Sequence, residues 1–288
     1  MENLNSLRKL RKKKNIQTEL KKKIKDKKRI IKISYDIQTG DYISYYKSKN
    51  RDYKRIVKKF ISVIKKEFIN VKTVFDFGTG EMTTFYEIFK NLQKNKVYFV
   101  NDVSLSRLYA GKNFIKKKIK NDIKKINFFT CPHTNIPFKD NSIDLVLTCH
   151  SLEPNNFCKN RLINELYRIA KKGVCMMEPH YEIANNKQQI RMKKFGYIRG
   201  IEKYFLKNKY NYKIIKNENF FNKDNPSSIF IIKKKVKKLN SYDYVDPFTK
   251  EKLLKIKKNY YNKRTKQVFL EFNDINLFDN ENKKLIVH

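Results

Sequence analysis

No stretch of this 288-residue sequence approaches the roughly 18 uninterrupted apolar residues that a membrane-spanning helix needs. Residues 1–15 are basic but have no apolar h-region behind them, which argues against a secretory signal. Cysteine is scarce: Cys131, Cys149, Cys158 and Cys175 are the four, none in a C-x-x-C pair. Zinc-ribbon spacing and a disulfide framework are both absent, so a reducing cytoplasm is the expected compartment. Acidic residues are few, 28 against 67 Lys and Arg, for a formal net charge of +39. That excess has two readings. Lysine clusters neutralise phosphates and release counterions, which points to a nucleic-acid partner. Against this, lysine far outnumbers arginine, asparagine and isoleucine are abundant too, and the lysines run the whole length of the chain. An AT-rich genome encodes such a composition, whereas phosphate recognition usually draws on the arginine fork as well. Both readings stay open at this point.

What is present is enough for a core. Hydrophobic residues make up 40%, and the length suits one full-sized α/β domain with appendages. Residues 1–33 are rich in lysine with apolar residues at loosely helical spacing, and read as a basic helical extension. Residues 34–70 begin with a polar, aromatic, turn-rich stretch and continue into a helix over 53–68, a helical cap or lid segment. From Val71 the pattern changes to short apolar runs alternating with helical ones. Strands are expected at 73–77, 97–102, 126–130, 143–148, 174–178, 212–216 and 228–233. Helices are expected at 83–92, 105–119, 159–170 and 187–205. Such alternation implies βαβ units: a Rossmann-like, seven-stranded, mostly parallel sheet with helices on both faces, over 71–236. Residues 241–288 read as a small β-rich C-terminal tail, with 268–272 its clearest strand.

The chemistry concentrates in Val74-Phe75-Asp76-Phe77-Gly78-Thr79-Gly80-Glu81. An apolar strand runs into a turn with two glycines and then a helix, so a ligand can approach the backbone at the carboxyl end of a parallel strand. A dinucleotide would place a pyrophosphate there, and Asp76 and Glu81 would repel it. A cofactor carrying an ammonium and a sulfonium would be attracted instead. The second strand ends in Val100-Asn101-Asp102, at the separation expected of an acid that accepts from ribose hydroxyls. The competing reading makes Asp102 the N-cap of the next helix, with Ser104 a rival for that role.

These segments resemble the class I S-adenosylmethionine (SAM)-dependent methyltransferases of the type 11 group. The resemblance rests on Phe75-Asp76-Phe77-Gly78-Thr79-Gly80, on Asp102-Val103-Ser104-Leu105-Ser106-Arg107-Leu108, on Ile136-Pro137-Phe138-Lys139-Asp140-Asn141-Ser142-Ile143-Asp144-Leu145-Val146 and on Glu165-Leu166-Tyr167-Arg168-Ile169. It implies S-adenosylmethionine as cofactor, with Asp76, Gly78 and Gly80 lining its methionine end and Asp102, beside Ser104, holding its ribose. Met82 stands where the family often has a third glycine. No acid precedes the Ile136-Pro137-Phe138 segment to meet the adenine, and Asn135 is a candidate substitute. The tail segment Tyr244-Val245-Asp246-Pro247-Phe248-Thr249 resembles the start of a Trm112-type ribbon, but Asp246 and Thr249 stand where cysteines are usual, so a metal-free tail is expected.

Methyl transfer to a hydroxyl or protonated amine needs alignment and the removal of a proton. The candidates follow strands: His150 and Glu153 after the fourth, His180 and Tyr181 after the fifth. Each also has a structural reading, as loop hydrogen bonds, a helix cap or packing. Tyr35 and Tyr42 are candidates for a lid. The leading expectation is methyl transfer to an oxygen or nitrogen of a small molecule or surface-glycan precursor. The alternatives are an RNA methyltransferase and a non-catalytic SAM-fold binding scaffold.

Overall fold

The computed structural model describes residues 16–48, 50–92, 95–131, 134–217, 224–235, 245, 251–256, 259–264 and 268–270. Seven strands form one sheet: β1 (Thr73–Phe77), β2 (Val97–Asn101), β3 (Ile126–Phe129), β4 (Ile143–Cys149), β5 (Ala170–Pro179), β6 (Asn211–Asn217) and β7 (Ser227–Lys233). Their order is β3-β2-β1-β4-β5-β7-β6. Six run in one direction, while β7 runs antiparallel to both of its neighbours, β5 and β6. The sheet is thus mostly parallel, as the alternating pattern implies, and its order reverses between β1 and β4.

Both faces are covered, and the strand residues sort between them with a period of two. Val74, Tyr98, Val100, Leu145 and Leu147 face a core closed by α4 (Asn50–Glu67), α5 (Thr83–Leu92) and α6 (Leu105–Ile119). Phe75, Phe77, Phe99, Val146 and Val174 face the other, closed by α7 (Lys159–Ile169) and α9 (Ile201–Lys207). Burial on both sides explains why these strands read as continuous apolar runs. The expected helix over 187–205 is two helices, α8 (Asn186–Phe195) and α9. Gly196 ends α8 in the left-handed conformation, φ 71°, and Gly200 precedes α9 at φ 66°. Periodicity alone did not reveal that break.

Ahead of the sheet lie α1 (Ile16–Lys21), α2 (Lys27–Ile37) and α3 (Asp41–Ser48). Ile16, Leu20 and Ile30 form a small cluster of their own. Asp26 caps α2 by accepting the Lys28 amide at 2.8 Å. The expected boundary at residue 33 therefore falls inside α2, and the polar turn is shorter than expected, between Ile37 and Asp41. The tail contributes β8 (Leu254–Ile256), β9 (Asn259–Tyr261) and β10 (Val268–Leu270), an antiparallel three-stranded sheet. Buried Val245 joins it to the main domain, donating its amide to Pro137 O at 3.0 Å. Asp246 and Thr249 lie outside the described residues. Among the described residues no helix is long and apolar enough to cross a membrane.

Candidate active site

A cleft opens at the carboxyl ends of β1, β2 and β4, where the strand order reverses and open α/β sheets place their ligands. Its floor is the turn after β1. Gly78 and Gly80 have φ of 67° and 56°, values that favour glycine. A Cβ on Gly78 would stand 2.4 Å from the Ser151 Cβ, so only glycine lets the β4 loop close on the turn. Met82 also has positive φ, 59°, and is fully buried; it bears the strain that a third glycine would relieve.

The turn is tied to the end of β2. Asn101 Oδ1 accepts the Gly78 amide at 3.1 Å, and its carbonyl accepts the Thr79 amide at 2.8 Å. Asp102 accepts the amides of Gly80 at 2.9 Å and Ser104 at 2.8 Å. Asp102 lines the cleft, and each of its oxygens keeps a lone pair for a further donor. Burial raises its pKa, against the charge of Arg107 and the two amides. Asn101 received no role from the sequence, although it holds the turn as directly as Asp102 does.

Ser104, not Asp102, caps α6, accepting the Arg107 amide at 3.2 Å while donating to Asp36 at 2.5 Å. It is fully buried and does not line the cleft. Asn135 does not line it either; its Oδ1 accepts from Arg161 at 3.0 Å. Asp76 lies buried in β1 beneath the turn rather than in the lining. Burial, with Asp102 nearby, pushes its carboxyl up to about 7.

Glu81 lines the cleft with its charge already engaged. Its carboxylate accepts the amides of Gly40 at 3.0 Å and Ile43 at 2.8 Å, and lies 3.5 Å from Arg107 Nε. The Arg107 guanidinium sits between the rings of Tyr35 and Tyr42, 4.7 and 4.4 Å from their centroids. All three residues line the cleft, so the N-terminal segment does form one of its walls. The sequence-level picture of a simply anionic turn is corrected accordingly: Glu81 is paired, and a buried cation from α6 enters the cleft.

The catalytic candidates separate into two pairs. His150 lines the cleft in a left-handed conformation, φ 53°. Its Nδ1 is 3.0 Å from Glu153 Oε2. Burial draws this imidazole down, yet the hydrogen bond and charge of Glu153, with Glu178 beyond, carry it above its ordinary value. Glu178 accepts the amides of Ser151 and Leu152, each at 3.1 Å, and burial raises it to about 7. His180 and Tyr181 do not line the cleft. His180 is buried against Phe230, with Nδ1 2.8 Å from Ser228 Oγ, and burial lowers its pKa. Tyr181 carries Lys193 and Arg199 over its ring.

Residues 75–177 match the family model described as a methyltransferase domain. No curated protein matches the chain. Among solved structures, a chain of the complex between the Haloferax volcanii Trm112 methyltransferase activator and the putative methyltransferase is 12% identical. It aligns with a TM-score of 0.52 over 69% of this chain and 97% of its own. Magnesium protoporphyrin IX methyltransferase from Synechocystis PCC 6803, with bound SAM, is 11% identical; its TM-score is 0.54, over 74% of this chain and 99% of its own. The chain carries a methyltransferase domain of the class I fold, a class whose cofactor is S-adenosylmethionine.

Proposed function

We propose that this protein is an S-adenosylmethionine-dependent methyltransferase that methylates an oxygen or nitrogen of a small molecule or glycan precursor. The observation that carries the reading is the His150–Glu153 pair in the cleft of the glycine turn, one residue from Ser151, which packs on Gly78.

The residues fit the cofactor's chemistry. Ser151 Oγ and Asn155 Oδ1 are buried in the cleft lining with no hydrogen-bond partner among the described residues, and suit polar groups of a ligand. Asp102 is the candidate for the ribose hydroxyls, and the Arg107 fork for the carboxylate of the methionine part. Asp76 acts through its charge beneath the turn. When bound, S-adenosylmethionine supplies a methyl carbon on a positively charged sulfur. His150 Nε2 takes the acceptor's proton, and Glu153 holds the resulting imidazolium.

The RNA reading has an observation of its own. The exposed face of α4 carries Arg51, Lys54, Lys58, Lys59, Lys65 and Lys66 along one stripe. Incubation of the purified chain with methyl-labelled S-adenosylmethionine, sugar-nucleotide and small-molecule acceptors, and total RNA tests both. Label in a small-molecule fraction is expected. Label in RNA alone, with RNA retention that falls steeply with salt, overturns the acceptor class. No cofactor binding at all leaves only a scaffold.

A further inference from the structure

His150 is held on both of its ring nitrogens. Beyond the Glu153 contact, its Nε2 lies 3.3 Å from the Oγ of Ser227, the first residue of β7. Ser227 is fully buried, and its Oγ is also 3.1 Å from Asn225 O. The Asn225 side chain, itself buried, lies 3.4 Å from Tyr197 Oη through Nδ2. Tyr197 in turn lies beside Glu153: burial first, and then the charge of that carboxylate, raise the pKa of its hydroxyl. The five residues therefore close a ring: Glu153, His150, Ser227, Asn225, Tyr197 and back to Glu153. They come from three separate parts of the chain. The α8–α9 connection is fastened independently, since the Ile198 amide donates to Glu153 O at 3.0 Å. Arg191 backs the ring, hydrogen-bonded to Asn225 Oδ1 and stacked on the Tyr197 ring at 5.6 Å.

Every bond in the ring has one consistent sense when His150 is charged. A carboxylate can only accept, so Nδ1 carries a proton toward Glu153, and the Tyr197 hydroxyl can only turn its own proton toward the same group. Tyr197 oxygen accepts from Asn225 Nδ2. The Nε2 proton goes to Ser227 Oγ, whose own proton goes to Asn225 O. When Nε2 loses its proton, the Ser227 hydroxyl can turn and donate to it. Ser227 therefore serves either protonation state. It can also release Nε2 without being left unpaired, because Asn225 O remains its partner.

Resting on the assignment of His150 as the base, we infer that Tyr197, Asn225 and Ser227 are positioning residues. They hold His150 with Nδ1–H on Glu153, and Ser227 Oγ occupies the place at Nε2 that the acceptor's own O–H or N–H takes during methyl transfer. The consequence for substrate class is that the acceptor presents a proton-bearing heteroatom, not a thioether or a tertiary amine. In the step, the acceptor heteroatom forms its bond to the methyl carbon. The carbon–sulfur bond breaks with its electron pair on sulfur, and the acceptor's proton ends on Nε2.

The ring can be read without any acceptor, because the chain has only four histidines, His133, His150, His180 and His288. The experiment is a histidine-labelled NMR titration of the full chain, with the His150 signal identified by His150→Asn. The charged groups facing His150 are Glu153 and Glu178, with Arg191 behind Asn225. The wild-type midpoint is expected above the ordinary imidazole value, with the neutral ring protonated on Nδ1. Ser227→Ala removes the acceptor of the Nε2 proton and is expected to lower the midpoint by about half a unit to one unit. Tyr197→Phe frees Glu153 to rotate and lowers it too. His180, bonded to Ser228 outside the ring, stays in place as the internal control. Affinity for S-adenosylmethionine, measured on the same samples, reports the cofactor cleft separately. An unchanged or raised His150 midpoint in both variants, with cofactor affinity and the His180 signal intact, overturns the ring. Loss of cofactor binding in the wild-type chain overturns the proposed function instead.

Discussion

Glu81 and Arg107 lie 3.5 Å apart with their side chains 0% and 6% exposed, and this contact joins the glycine turn, α6 and the N-terminal helices. The same carboxylate accepts the amides of Gly40 and Ile43. Glu81→Ala strands a buried guanidinium and two amides. The expected loss of stability is about 3–5 kcal/mol, the usual range for breaking a buried pair from one side. Urea denaturation measures it; a change below 1 kcal/mol would remove Glu81 as the fastening of the segment from Tyr35 to Ile43.

Gly78→Ala adds a Cβ 2.4 Å from that of Ser151 at a backbone φ of 67°. The backbone conformation alone costs about 1–2 kcal/mol, and the contact forces the β4 loop off the turn. The variant is expected to fold with lower stability and to bind S-adenosylmethionine at least tenfold more weakly. Calorimetry showing wild-type affinity would mean that the turn and the β4 loop need not touch for the site to form.

Asp76 gives the stability a pH dependence of definite sign. Its carboxyl titrates at about 7 when folded, against about 3.9 in an unfolded chain. The folded state therefore holds this proton more tightly. Its contribution is most favourable below pH 4, declines as pH rises through 4–7, and is flat above, with an upper bound of roughly 4 kcal/mol. Asp76→Asn should remove that slope and stabilise the free protein at pH 8. A cationic cofactor favours the ionised carboxylate, so wild-type affinity should rise with pH up to about 7 while the variant's does not. Thermal melts and binding titrations at pH 5, 6, 7 and 8 decide it.

His150→Asn should lower the methyl-transfer rate by about 10²–10⁴, the usual contribution of a positioned base, with cofactor affinity changed by no more than a few-fold. As the proposed base, His150 must be deprotonated in the wild type, and Glu153 raises its pKa, so kcat should climb with pH to a plateau on the alkaline side of neutrality. Glu153→Gln should move that climb to lower pH. Labelled-methyl transfer across pH 6–9 checks both, and a flat profile would mean that no proton is removed in the rate-limiting step.

Much of this was legible in the sequence where local rules govern. The strands from Thr73 to Lys233 read correctly because burial on both faces forces continuous apolar runs, and the glycine turn showed itself through two residues that only a left-handed backbone requires. The cleft's own chemistry was less legible, because it depends on contacts across long separations. Glu81 looked like a ligand group until the amides of Gly40 and Ile43, 41 and 38 positions away, were found on it. Arg107 belongs to a helix whose spacing says nothing about a guanidinium turned back between Tyr35 and Tyr42. Ser227, 77 positions from His150, carries no local mark of its contact with that ring. Gly196 and Gly200 were a visible signal for splitting α8 from α9, outweighed by the apolar spacing around them.

The most direct test is calorimetric titration of S-adenosylmethionine into the wild-type chain and into Asp102→Ala. Asp102 holds the Gly80 amide and is the candidate acceptor for the ribose, so the wild type should bind one equivalent and the folded variant should lose about 1–3 kcal/mol of affinity. Wild-type protein that binds no cofactor, or a folded Asp102→Ala that binds it as tightly as the wild type, would contradict the account.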